Sequence, residues 1–404
     1  MLGRVDYFTE LRLPLNFLPN HPGYTFINHT HLTKRRFKLI VKSQKGCVLE
    51  SALLVLGVVL AAWAVLNAAY TCRRDFFDSR NIRLLYGLVL VYRTGNVKAA
   101  GRLWKALTPL FAASYALSVA WFLIVIVEGV AGKIHGGGGL RVLVPGVDIT
   151  GLDLAYFIVA VALAAVLHEF FHGKAAVGNG VGVKSFGLAL AFVLPLAFTE
   201  IDEKDFAGSS RRVRTGILAA GVAANLALGL LGLVFLNTAT SPTGILVTNV
   251  VPGSLASKAG VEPYSILLSL NGVELRSVDD LRSVLSNTSA TSLNLTLLTP
   301  EGSTRSIIIE RNTTDKTLGV YIMSPPAGWL VRMVGVYLGA QLVKAFFWLY
   351  LVNFNLAILN AAPLFITDGG RIVFELFGER FKKMALAVNT LSLAILLLAL
   401  APLP

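Results

Sequence analysis

Residues 154–176 read LAYFIVAVALAAVLHEFFHGKAA, an apolar run whose last third carries two histidines and a glutamate. The hydrocarbon core of a bilayer is about 30 Å thick, and a helix crosses it with about 20 mostly apolar residues. Ionisable side chains inside such a helix are costly, and they mark functional sites by default. This stretch therefore predicts a membrane protein and also the place of its chemistry.

The composition of the whole chain agrees with a membrane protein. Of its 404 residues, 55% are hydrophobic and 15% are charged, whereas soluble domains have about 25% charged residues. The 36 Lys and Arg residues and the 23 Asp and Glu residues give a net charge of +13. We assign this charge to loops that face the cytoplasm, not to nucleic-acid binding, so the expected partner surface is the lipid bilayer.

Six segments are expected to cross the membrane. They are residues 51–70, 106–130, 154–176, 215–236 and 384–401, with a sixth inside 329–360. The apolar stretch Phe186–Phe198 is too short to cross, and we interpret it as a re-entrant or surface segment. The expected fold class is a polytopic α-helical membrane protein with about six transmembrane helices.

A change of composition marks an insert at residues 240–325. Short alternating apolar runs are separated there by PGS, NG and EG, which predicts a small β-rich domain. The chain then divides into a polar basic N-terminal segment (1–47), a first transmembrane helix with a cytoplasmic connector (48–105), two parts of a membrane core (106–239 and 326–404) and this insert (240–325).

Charge predicts the orientation of the spans. Basic residues outnumber acidic ones by six to four in Gly173–Arg214 and by eight to two in Thr71–Lys105, while the insert has six basic and seven acidic residues. Cytoplasmic loops are rich in Lys and Arg, so the insert is expected outside and both basic loops inside. The N-terminal segment would then lie outside in spite of its basic residues. The compact, cysteine-free insert favours a prokaryotic cell membrane.

The motif HEFFH predicts a metal site. His168 and His172 are four residues apart, so on a helix they share one face and can present two imidazole nitrogens to one Zn²⁺. Glu169 lies beside them, where it can act on a water molecule activated by the metal. The alternative is a pair of structural histidines in a helix bundle, which the intramembrane position disfavours.

A catalytic zinc needs a third protein ligand. On the predicted topology Glu128 lies near the outer end of its span, so its depth is wrong. Asp368, in the segment NAAPLFITDGG, lies on the cytoplasmic side. Pro363 and the pair Gly369-Gly370 break the helix there, which lets the carboxylate turn inward. A helix-capping acid is the alternative role for Asp368.

Motif order now adds a family resemblance. HEFFH, then GVAAN at residues 221–225, then a PDZ-like insert, then NAAPLFITDGG resemble the site-2 protease family of intramembrane zinc metalloproteases, over about residues 106–377. The resemblance implies hydrolysis of peptide bonds within or near transmembrane helices of membrane-protein substrates. It implies these roles: His168, His172 and Asp368 as ligands of one catalytic Zn²⁺, Glu169 as general base, and Asn225 and Asn360 as residues that position the substrate backbone.

Two residues depart from the pattern of many family members, Phe171 before the second histidine and Thr367 before the aspartate. Neither change removes a ligand, so specificity is what they bring into question. The PDZ-like insert implies binding of peptide ends as an added strand, with an unused spacer as the alternative. The alternative functions are a non-catalytic PDZ-bearing scaffold, a membrane zinc peptidase of another kind and a transporter, and the sequence shows no inverted repeat that would favour the last.

Overall fold

The computed structural model describes residues 57, 59–94, 101–134, 140, 142–191, 194–312 and 317–401. The predicted N-terminal segment 1–47 and most of the first residues of the predicted span 51–70 lie outside the described residues. The chain forms two compact units. Within the described residues, one comprises the chain up to Gly232 together with the part that starts at Trp348, and the other comprises Leu233–Phe347.

Helices long and apolar enough to cross a membrane dominate the described chain. They are α4 (Thr108–Ile134), α5 (Gly151–Gly178), α7 (Arg211–Ala239), α10 (Gly328–Ala361) and the segment Glu379–Leu400, which joins a 3-10 turn (Glu379–Phe381) to α12 (Lys382–Leu400). They match five of the six predicted spans, and they confirm an integral membrane protein. Of the first predicted span, the structure describes the shorter apolar helix α1 (Val59–Cys72).

A four-stranded antiparallel sheet lies in the unit that contains α5. Its order is β1 (Ile82–Leu85), β2 (Val89–Thr94), β3 (Val183–Ala191) and β4 (Leu194–Ile201). The first two strands come from the segment predicted as a connector, between the short helices α2 (Arg74–Asp78) and α3 (Arg102–Ala106). The last two form the hairpin that holds the apolar stretch Phe186–Phe198. That stretch is therefore a β-hairpin, a form that suits its short length.

Polar contacts stabilise one end of this sheet, the end opposite the β3–β4 turn. Glu200 of β4 accepts a hydrogen bond from the Ser185 hydroxyl at 2.8 Å and pairs with Arg93 of β2 at 3.4 Å. Asp202 then caps α6 (Glu203–Gly208). Hydrogen bonds from the backbone N–H of Asp205 and of Lys204 lower the pKa of the Asp202 carboxyl. The apolar hairpin thus ends in a charged rim.

The other unit is strand-rich, as predicted for the insert. The elements are β5 (Ile245–Val250), α8 (Leu255–Lys258), β6 (Ile266–Leu270), β7 (Val273–Glu274), α9 (Val278–Asn287), β8 (Ser292–Leu298), β9 (Thr304–Glu310) and β10 (Val320–Met323). The strands form one sheet with the order β10-β5-β6-β8-β9, and β7 pairs with β6. Fully buried leucines, among them Leu267, Leu281 and Leu295, form its core.

Both ends of α9 are capped. Ser277 and Asp280 form a capping box at its first turn, which satisfies two backbone donors at once. At the other end the buried Arg311 donates to the carbonyl oxygens of Leu285 at 2.8 Å and of Ala290 at 3.0 Å. The end of α9 is therefore tied to the residue that follows β9.

Candidate metal centre

Three side chains predicted as zinc ligands lie together. On α5 the Nε2 atoms of His168 and His172 are 3.0 Å apart. Oδ2 of Asp368, on another helix, lies 3.0 Å from Nε2 of His168 and 3.2 Å from Nε2 of His172. Three electron-pair donors from two distant parts of the sequence therefore converge on one small space, with all ligand atoms within 4.8 Å of one another.

Asp368 reaches this space because the chain reverses just before it. α10 ends at Ala361, and α11 (Asp368–Phe377) begins at the aspartate itself. Thr367 is the N-cap of α11: its hydroxyl accepts a hydrogen bond from the Gly370 N–H at 3.2 Å, and its O–H donates to the Ala362 carbonyl at 2.6 Å. The departure at Thr367 thus supplies a preferred capping residue, while the carboxylate of Asp368 faces the histidines.

The two glycines after Asp368 allow backbone segments to approach closely. A Cβ atom on Gly369 would lie 2.1 Å from the Ala361 carbonyl oxygen, and one on Gly370 would lie 1.8 Å from the Leu364 carbonyl oxygen. Any side chain at either position would push the start of α11 away from the end of α10. The DGG motif is therefore a packing requirement that places the carboxylate.

The helix α7 lies against both histidine rings. His172 donates its Nδ1 proton to the Ile217 carbonyl at 2.7 Å, so its Nε2 atom keeps a free lone pair. The amide nitrogen of Asn225 lies 3.1 Å from Nδ1 of His168. Between these contacts a Cβ on Gly221 would lie 2.3 Å from Nε2 of His172 and 2.6 Å from Nε2 of His168. Gly221 thus keeps the space beside both ligand nitrogens open.

These residues fit a zinc ion. Two imidazole nitrogens and one carboxylate oxygen are one of the three-ligand sets of catalytic zinc sites, which keep a further position open. The hydrogen bond from His172 to Ile217 directs Nε2 of the neutral ring at Oδ2 of Asp368, 3.2 Å away, and a divalent cation between these two acceptors would bind both. The gap at Gly221 leaves room for it.

Glu169 lies one residue after His168 and is half-buried. Its backbone carbonyl accepts a hydrogen bond from the Thr199 hydroxyl of β4 at 2.7 Å. Its carboxylate has no hydrogen-bond partner among the described residues, so it is available to a water molecule. The sequence did not point to Thr199, whose only signal is a hydroxyl within an apolar segment.

The other residues that the sequence singled out, Asn360 and Phe171, make no hydrogen bond to the three ligand residues within the described chain. Asn360, on α10, is half-buried. Phe171 packs its ring against Trp104 at 5.0 Å and Phe111 at 6.2 Å between ring centres. Tyr115 of α4, which the sequence did not single out, packs in the same region of the core.

Comparison with known proteins agrees with this geometry. The model of a protein family described as Peptidase family M50 matches residues 156–400. A Methanocaldococcus jannaschii protein named "Uncharacterized protein MJ0971" is 30% identical over 230 residues, which cover 56% of this chain and 58% of that protein. A Nostoc protein named "Putative zinc metalloprotease all3971" is 25% identical over 308 residues, which cover 54% of this chain and 84% of that protein. The matched region thus spans less than two thirds of the archaeal relative.

Proposed function

The chain belongs to peptidase family M50, the site-2 protease family, and from this premise we propose that it hydrolyses peptide bonds within or near transmembrane helices of membrane-protein substrates. Membership makes it a metallopeptidase that uses zinc. The position of the site carries the proposal: the ligand atoms of His168, His172 and Asp368 converge where α5 and α7, both long enough to cross a membrane, lie together.

Zinc held by these three residues supplies Lewis-acid chemistry: it polarises a carbonyl group and makes water a better nucleophile near neutral pH. Glu169 then removes a proton from the attacking water and passes it to the leaving nitrogen. Its carboxylate makes no hydrogen bond to the described residues, and this and its place beside His168 support the role. Asn360 is proposed to position the substrate backbone, as the family resemblance implies.

The substrate has to unwind locally before it is cut. A peptide bond inside a membrane helix is shielded by its own hydrogen bonds and by lipid. Substrate helices with Gly, Pro, Asn or Ser near the cut are therefore expected to be preferred. The β3–β4 hairpin is proposed as an edge or gate beside the site, because Thr199 of β4 bonds directly to the backbone of Glu169.

The strand-rich insert is proposed to be a PDZ-like domain that binds peptide ends of substrates. Its sheet ends in the edge strands β10 and β9, and an edge strand can accept a peptide as an added strand. The charge pattern supports an insert outside the membrane and an active site near the cytoplasmic side. The compact, cysteine-free insert supports a prokaryotic cell membrane.

Replacing the general base tests the proposed reaction. Glu169→Gln in the detergent-purified full chain should lower cleavage of a tagged transmembrane substrate about 10²–10⁴-fold, because the carboxamide cannot accept the proton. Zinc content should not change, since Glu169 is not a ligand. Glu128→Gln is the matched control, an exposed acid on α4, and it should alter neither property. Full cleavage by Glu169→Gln, or wild-type protein without zinc, would refute the proposal.

A further inference from the structure

One face of α7 contacts the Nδ1 atoms of both His168 and His172, the ring nitrogens that do not face Asp368. Ile217, Gly221 and Asn225 are four residues apart, so they follow one another along the same side of the helix. The Ile217 carbonyl accepts the Nδ1 proton of His172 at 2.7 Å. Asn225 meets Nδ1 of His168 at 3.1 Å. The two ligands are therefore held from one helix, one by backbone and one by a side chain.

The side chain of Asn225 has an unused acceptor. The residue is 1% exposed, and its Oδ1 atom has no hydrogen-bond partner among the described residues. A buried polar group left without a partner destabilises the folded state. The oxygen and nitrogen of an amide are nearly equal in size, so a half-turn of this group exchanges them without a change of packing.

Metal binding to His168 decides which amide atom faces the ring. A neutral imidazole carries one proton, so when Nε2 donates its lone pair to an ion the proton is on Nδ1. That N–H cannot bond to the amide nitrogen of Asn225, which carries only donors. It can bond to Oδ1, which the half-turn brings to the position now 3.1 Å from Nδ1.

We propose that Asn225 is a positioning residue of the metal centre, whose amide oxygen accepts the Nδ1 proton of His168 and holds Nε2 toward the ion. It does for His168 what the Ile217 carbonyl does for His172. The inference rests on the proposed zinc chemistry, and it replaces the substrate-positioning role that the family resemblance implies for Asn225. Mutation of a residue that hydrogen-bonds to a metal ligand in this way typically lowers metal affinity about 10–100-fold.

Another buried asparagine provides a matched control. Asn353, on α10, is 0% exposed, and its Oδ1 atom also has no hydrogen-bond partner among the described residues. Its amide nitrogen donates to the Leu349 carbonyl of its own helix at 2.9 Å, so it does not bond to a metal ligand. Asn353→Leu changes the same chemical group without touching His168.

The test measures zinc affinity by competition with a chelator in the full-length, detergent-purified protein. Asn225→Leu and Asn225→Ala remove the acceptor, and each should weaken zinc binding about 10–100-fold. Asn225→Asp keeps an acceptor in the same place and should stay within about threefold of the wild type. Asn353→Leu should bind zinc like the wild type. Thermal unfolding of each zinc-free variant establishes that it is folded.

The outcomes separate this inference from the proposed function. If both acceptor-free variants bind zinc like the wild type and only KM or kcat changes, Asn225 acts on the substrate and the inference is wrong. It is also wrong if Asn225→Asp loses as much affinity as Asn225→Leu. If the wild type itself binds no zinc, the proposed function fails first. Loss of affinity in the acceptor-free variants with rescue by Asp supports the positioning role.

Discussion

At the residue scale, Gly221 serves the site through the side chain it lacks. Its α-carbon faces the Nε2 atoms of both histidines, and a Cβ there would lie 2.3 Å from that of His172. Real Cβ atoms do not approach a ring nitrogen so closely, so a methyl group would occupy the space that a bound ion and its ligands need. A single hydrogen at this position is part of the metal centre.

Gly221→Ala is therefore expected to weaken zinc binding by about tenfold or more, at least as much as the loss of an outer hydrogen bond to a ligand. The measurement is zinc content after dialysis against a chelator, compared with the wild type. Gly208→Ala is the control, because a Cβ there meets nothing within 4 Å. Unchanged zinc retention in Gly221→Ala would show that the gap does not hold the ion.

The sequence could reveal side chains of the site but not its backbone groups. The spacing of His168 and His172 puts them on one helical face, and the helix-breaking residues around Asp368 mark where a carboxylate can turn inward. The geometry agrees with both inferences. The Ile217 carbonyl has no sequence signal, since every residue has one. Thr199 was also not predicted, because its partner is a backbone oxygen on another element.

At the scale of elements, α11 is fixed at both ends, and this fixes its first residue, Asp368. Its start is capped by Thr367. Near its other end Glu375 pairs with Arg214 of α7 at 2.7 Å, and Arg211 donates to the Leu376 carbonyl at 3.2 Å. A half-buried ion pair of good geometry can add to stability where an exposed pair adds little. The ligand is thus carried by a short helix clamped to α7.

Gly370→Ala should loosen this helix. The added Cβ would lie 1.8 Å from the Leu364 carbonyl oxygen and 2.6 Å from the side-chain oxygen of Asn389, so the start of α11 must shift. Overpacking of this kind costs about 1–3 kcal/mol or more. Denaturation of the zinc-free protein should show the loss, and zinc affinity should fall with it. Gly101→Ala, which has open space around it, should change neither; equal stability of Gly370→Ala and wild type would contradict this account.

Strand pairing was the part of the fold that the sequence did not disclose. Leu90 of β2 lies opposite Leu190 of β3, a pairing between segments separated by two long helices. Apolar runs were visible in both segments, but two short runs do not specify which partner each will find. Register depends on which face of a strand is buried and on the turns. Both segments carry apolar residues on both faces, so their sequences do not specify the register. The length of an apolar run, by contrast, is a local property, and the five spans were predicted from it.

At the scale of the whole molecule, the low share of charged residues makes the three polar residues of the metal centre stand out. Only 15% of the residues are charged, because long apolar spans make up a large part of the chain. The polar residues His168, His172 and Asp368 are therefore exceptions, and they lie together. The strand-rich unit is built differently: it has its own hydrophobic core, and polar turns connect its strands. The chain thus combines a membrane core for chemistry with an insert for which selection of substrates is the proposed task.

Excision of the insert tests this division of labour. Thr240 and Pro326 form a bridge where the insert begins and ends, so a short Gly-Ser linker can replace residues 242–324. If the insert only selects substrates by their ends, the variant should cleave a minimal transmembrane helix at a rate within about tenfold of the wild type, since each catalytic group is retained. It should also cleave a substrate with an untrimmed outer domain that the intact protein rejects.

Leu330 and Val336 pack against the insert, so their exposure after excision makes zinc content and thermal unfolding necessary checks. A folded, zinc-loaded variant that no longer cleaves the minimal helix would show that the insert takes part in the reaction itself.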